Sequence, residues 1–225
     1  MQSSLFKQSE RNNGDGREIS FLVACLLDEL FVIESINNYY LALFCHSEDR
    51  VSMLNRVAQV LFATIQDSLL DEMTIRFARL IDKERICGNE TFTLNRFDAF
   101  SQGLENPDAY SQKLSRAKEH IDKAFKDTRN QYLAHLQLDP LLDGTKFSYA
   151  TSLNVREAIT SCVDFVEETE KQFDIPRLYF PNHEEDREVD KFLEVLEKGY
   201  EQILPKKWWK KKTAGNNNNQ GCPDE

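Results

Sequence analysis

Residues 17–45 read REISFLVACLLDELFVIESINNYYLALFC, and the spacing of apolar side chains in this stretch decides the fold class. Leu22, Leu26, Leu27, Leu30 and Ile33, then Ile36, Tyr40 and Phe44, recur at three- and four-residue steps, the period of a helix buried along one side. Asp28 and Glu29 interrupt the run, so it is too short and too charged to cross a bilayer, and no transmembrane segment is expected. Moving outward, Ser47-Glu48-Asp49-Arg50 reads as an N-cap followed by acids in the first turn, where the helix dipole favours them. The next helix, marked by Met53, Leu54, Val57, Leu61, Ile65 and Leu80, is predicted to run to about residue 81, with Gly88-Asn89 as a breaker beyond it. A short element follows at 94–103. Pro107-Asp108 opens a helix predicted to reach 138, where Asp139-Pro140 stops it. Residues 141–152 read as a loop, Asn154 as the cap of a helix carrying Val155, Ile159, Cys162 and Val166, and 184–204 as the last helix. Strand-like alternation is missing at any convincing length, and 8 glycines and 6 prolines are few for a fold of many short strands. The expectation is an all-α helical bundle.

The 225 residues, 40% hydrophobic, suit one large domain, expected at 18–204, between a short mobile lead-in at 1–17 and a basic, low-complexity tail at 205–225. The lead-in lacks an apolar h-region, and the five cysteines form no CxxC pair, so neither a disulfide framework nor a zinc site is expected. Reduced thiols in a cytoplasmic protein fit this pattern. With 28 basic and 38 acidic side chains the net charge is −10, which removes any overall attraction for nucleic acid or anionic membrane. Contact with either therefore needs a local basic patch, and two are visible. One is the tail Lys206-Lys207-Trp208-Trp209-Lys210-Lys211-Lys212, which reads either as an RNA or membrane-surface contact or as a terminus whose tryptophans pack back on the last helix. The other is Lys113, Arg116, His120 and Lys123, spaced as a stripe along the 107–138 helix, either an RNA-facing track or a solvated face. The acidic run from Glu184 to Asp190 is read as a helix N-terminal turn rather than a carboxylate metal site.

The segment Arg129-Asn130-Gln131-Tyr132-Leu133-Ala134-His135 carries the chemistry. With Ile121 at zero and about 100° per residue, Leu114, Ala117, Phe125, Thr128, Tyr132 and His135 all fall within about 40° of it, while Arg129 lies about 80° off that stripe. Arg129 and His135 of one straight helix therefore point apart, and a two-fold pair of such helices would gather two of each in one groove. Histidine can move protons at a ribose 2′-hydroxyl and at a leaving oxygen, and arginine can hold a phosphate. A lone histidine on an apolar stripe also has a plain reading as a hydrogen-bonded core residue.

RNQYLAH at 129–135 resembles the Arg-polar-x4-His signature of the HEPN superfamily, and together with TIRFARLID at 74–82 it looks like the AbiU-type abortive-infection branch. The similarity is read over residues 18 to about 173. It implies an all-α, HEPN-like four-helix core with an additional C-terminal helix, and a metal-independent endoribonuclease of phage defence or of a toxin–antitoxin pair. It further implies a homodimer, an RNA substrate, Arg129 and His135 as the catalytic pair, and Asn130 as the supporting polar residue, with Tyr132 nearby. No metal or other cofactor, and no sequence-specific DNA binding, is expected. An antitoxin or defence partner belongs to the same expectation, although Gln137 stands where nucleotidyl-transferase-silenced HEPN toxins carry tyrosine. Arg76 and Arg79 either line a groove or hold a helix end through Asp82. The alternative of a different class is a non-catalytic helical module that binds RNA or a protein, with the motif kept as packing.

Overall fold

The computed structural model describes residues 3–102, 104–128, 150–177 and 185–203. Helix α1 spans Ser3–Tyr40 and continues as one π turn at Leu41–Cys45, so it takes in most of the stretch read as a lead-in. The chain bends at His46-Ser47, and α2 spans Glu48–Leu80, capped by the Ser47 hydroxyl, which accepts from the Arg50 N–H at 3.2 Å. A 3-10 segment, Leu94–Phe100, precedes α3 at Pro107–Thr128, α4 at Ser152–Gln172 and α5 at Glu185–Ile203. The fold is all-α, as the apolar spacing requires.

Three local features differ from the sequence reading. Between α2 and the 3-10 segment, Arg85–Ile86 (β1) pairs with Asn89–Glu90 (β2) in a small antiparallel hairpin. Its two-residue turn, Cys87-Gly88, has φ of 50° and 85°, the left-handed pair a tight hairpin needs. Ala58 leaves helical geometry (φ −160°, ψ 71°) and bends α2, with neither glycine nor proline to mark the place. The N-cap of α4 is Thr151, not Asn154. The two form a reciprocal capping box, with the Thr151 hydroxyl accepting from the Asn154 N–H and the Asn154 side chain accepting from the Thr151 N–H at 3.1 Å.

The main core lies between α1, the second half of α2, the 3-10 segment, α3 and α4. Aromatic rings tie these elements together. Phe77 of α2 stacks on Phe125 of α3 at 4.3 Å, and Phe165 of α4 meets Phe97 and Tyr110 edge-on at 5.1 and 5.2 Å. Tyr110 is fully buried and its hydroxyl donates to the Phe97 carbonyl at 2.9 Å, so its one polar atom is satisfied. A second, smaller cluster of Ala42, Leu54, Phe62, Val189 and Leu193 joins the π turn, the first half of α2 and α5. Polar clasps surround it. The Arg50 guanidinium donates to the Ala42 carbonyl in the π turn and, at 2.7 Å, to Asp190 of α5. Tyr39 donates to Glu188 at 2.8 Å, and Tyr200 to the Arg56 carbonyl at 3.2 Å.

Candidate functional site

Helix α3 leads to the motif. Its apolar stripe is buried as the helical step requires: Leu114, Ala117, Ile121 and Phe125 are closed off, and Thr128, the last residue of α3, is buried beside them. The motif begins one position later, and Arg129, Asn130, Tyr132 and His135 lie outside the described residues, as does the predicted helix end at 138. The basic tail at 205–225 and residues 141–149 lie outside them too.

The Phe77–Phe125 stack sets TIRFARLID against the last turn of α3, just before RNQYLAH in the sequence. Arg76 does not take the role at Asp82 that its position in the chain allowed. Its guanidinium pairs across to Glu29 of α1 at 3.0 Å and back one turn to Glu72 at 2.7 Å, because its side of α2 is turned toward α1. Arg79 is exposed, and its guanidinium has no ion-pair partner among the described residues.

The basic stripe divides into two by facing. Lys113 and His120, seven residues apart, sit on the side of α3 that meets α4. The Lys113 ammonium pairs with Glu168 at 3.2 Å, and His120 Nδ1 lies 3.2 Å from the Glu157 carbonyl. A carbonyl can only accept, so Nδ1 carries a proton in this contact. Glu168 also accepts from Gln172 at 2.7 Å. The Gln172 hydrogen bond and then that of Lys113 hold its carboxyl below the usual range, against the opposing effect of burial. This clasp is therefore complete at neutral pH and is lost as pH falls through the lowered Glu168 pKa. Arg116 and Lys123, also seven apart, are exposed on the outer face and have no ion pair among the described residues. Reading from α3 alone groups the four as one stripe, because which flank α4 covers is fixed by tertiary packing. The signal that separates them is the acceptor Glu168 on α4, with its donor Gln172 one turn further along.

Beside the Lys113 clasp is a surface cleft of about 640 Å³ lined by Glu167, Glu168, Glu170, Lys171, Asp174 and Arg177 among others. Acids there at least match bases, so the cleft offers a phosphate no net positive field. Among the described residues no three His, Cys, Asp or Glu side chains come together as a metal site, and no helix is long and apolar enough to cross a membrane.

The sequence model of the AbiU2 family of HEPN proteins matches residues 19–192. The chain belongs to the AbiU2 family. The match reaches past residue 173, where the resemblance was read to end, and takes in the first two turns of α5, so that helix is begun within the family domain. No curated protein and no solved structure matches the chain. AbiU2 membership makes this an abortive-infection protein of HEPN type and accounts for the all-α bundle.

Proposed function

We propose that this AbiU2 protein is a metal-independent endoribonuclease of phage defence or of a toxin–antitoxin pair, acting as a homodimer. The observation that carries the reading is the family match, which spans the whole Arg129 to His135 motif. One His135 takes the proton of a ribose 2′-hydroxyl, whose oxygen then bonds to the adjacent phosphorus as the bond to the 5′-oxygen breaks. The partner protomer's histidine, in its protonated form, gives that oxygen its proton. The products are a 2′,3′-cyclic phosphate and a free 5′-hydroxyl. Arg129 neutralises the charge that builds on the phosphate, with Asn130 and Tyr132 as supporting polar groups. Arg116 and Lys123 are the residues of the stripe left exposed to meet RNA backbone.

Cleavage of RNA in EDTA by wild type, Arg129→Ala and His135→Ala tests this. Each variant is expected to lose about 10²–10⁴ in rate, the usual value of one acid–base group, with an unchanged unfolding midpoint. Equal activity in all three overturns the proposal. Arg116→Ala and Lys123→Ala are each expected to weaken RNA binding and lower its salt slope by about 1.

The engagement of Lys113 and His120 by α4 favours a second reading, a non-catalytic helical module for RNA or a protein partner in which this helix is packing. Under it, His135→Ala lowers thermal stability and leaves RNA handling unchanged, because a buried partner loses its hydrogen bond.

A further inference from the structure

Near the start of α3 is a second cleft, of about 570 Å³, lined from α1, the 3-10 segment and the turn after α4. Its volume is in the range of small-molecule sites. Pro107 and Thr128 are about 30 Å apart along the helix axis, so this cleft is at the end of α3 remote from Thr128. Part of its lining is apolar. Phe100 and Phe173 meet edge to face with ring centroids 6.2 Å apart, and they and Leu104 are only partly buried.

Three carboxylates also line the cleft. Glu18, Glu84 and Asp174 are exposed, and none has an ion pair among the described residues. Arg96, the cation among the described lining residues, is already committed: its Nε donates to the Thr91 carbonyl, and Glu90 meets its charge at 3.2 Å. Asp174 holds its place against backbone strain. It follows the C-cap of α4 with a left-handed φ of 51°, and the Ile175 N–H donates to the Glu170 carbonyl at 2.9 Å, the bond that closes a helix in this way. Glycine suits such a position best, and aspartate there sets a carboxylate at the cleft instead.

Charge and spacing together select the ligand. Among the described residues no three acids, thiols or imidazoles gather closely enough to hold one metal ion, so these carboxylates do not converge on one point. Unpaired negative charge at separate points beside exposed ring surface is answered by a ligand with several positive charges joined by apolar segments. We propose that the cleft binds an aliphatic polyamine. Its ammonium groups pair with Glu18, Glu84 and Asp174, and its methylene segments cover Phe100, Phe173 and Leu104. The site stands apart from the ribonuclease reading, because none of its residues belongs to the motif.

Calorimetric titration of the full chain with spermidine tests it. One spermidine per chain is expected, held less tightly as salt rises, with butylamine, which carries a single charge, bound about tenfold more weakly. Glu84→Gln and Asp174→Gly are each expected to weaken spermidine binding about 2–5-fold. Asp174→Gly also relieves the left-handed strain, so its unfolding midpoint is expected to stay level or rise, and its lost affinity is then not lost fold. Asp67→Asn removes the same charge from an exposed position on α2 outside the cleft and is expected to change nothing. Titration without saturation overturns the proposal. So does binding that Glu84→Gln and Asp174→Gly leave intact, an equal loss in Asp67→Asn, which would make the general negative charge of the chain the binder, or displacement of spermidine by an equal concentration of Mg²⁺.

Discussion

The two ends of the bundle use similar amphipathic helices and hold them in different ways. Around α3 and α4, rings from four elements interlock, and nearly every side chain that faces inward is closed to solvent. Around α5, five buried residues do the packing, and the position of the helix is fixed by clasps of Arg50, Tyr39 and Tyr200 at its edges. Apolar burial supplies most of the stability but little direction, whereas a guanidinium held by a carbonyl and a carboxylate fixes one geometry at modest net gain. The lesson is that α3, the helix that leads up to the motif, rests on the rigid end, and α5 on the end that can open first.

The largest effect that can break this comparison is Phe125→Ala. Removing the ring stacked on Phe77 is expected to cost about 3–5 kcal/mol in denaturant unfolding, lost in one cooperative step. A cost below about 1 kcal/mol would mean that this end is no better packed than the other. Next is Arg50→Ala, expected to cost about 1–3 kcal/mol, most of it for the Ala42 carbonyl left without its charged donor, since Asp190 is largely exposed. Amide exchange should then rise in α5 and the π turn while α3 and α4 keep their protection. Uniform acceleration through all helices would erase the distinction. The smallest effect is chemical. Burial pushes the Cys162 thiol in α4 up to about 12, whereas Cys45 closes the π turn in the open. A thiol reagent at neutral pH is expected to modify Cys45 at once and Cys162 only on unfolding. The unfolded chain ionises Cys162 near its ordinary 9.0 and the folded chain does not, so this residue's share of stability is full below that pH and falls as pH rises toward 12.

Much of this was legible in residue spacing. Leu22, Leu26, Leu30 and Ile33 of α1, and Leu114, Ala117, Ile121 and Phe125 of α3, read as buried because a 3.6-residue period projects them to one side, and they are buried. Ser47 read as a cap because a hydroxyl before acidic first-turn residues has an unpaired N–H to accept. What escaped depends on tertiary context. Nothing in Ala58 announces a bend, and Cys45, the last residue of the apolar stretch 17–45, is exposed at the end of the π turn. Asn154 alone reads as the cap, whereas Thr151 and Asn154 together form a T-x-x-N pair that satisfies both ends at once. Of the candidate site, the buried stripe of α3 that leads up to the motif was legible. The partition of its basic stripe was not, because Glu168 and Glu157 come from a segment more than 30 residues further on.

The π turn at Leu41–Cys45 has a consequence for chain length. It closes each hydrogen-bonded ring over one residue more than an α turn does, so it holds an extra residue without shifting either flank. Deleting one residue there would restore an ordinary helix and leave Ile33 and Leu54 facing their present neighbours. A one-residue deletion between Tyr40 and His46 is therefore expected to be absorbed there, with helix content and unfolding midpoint near those of the full chain.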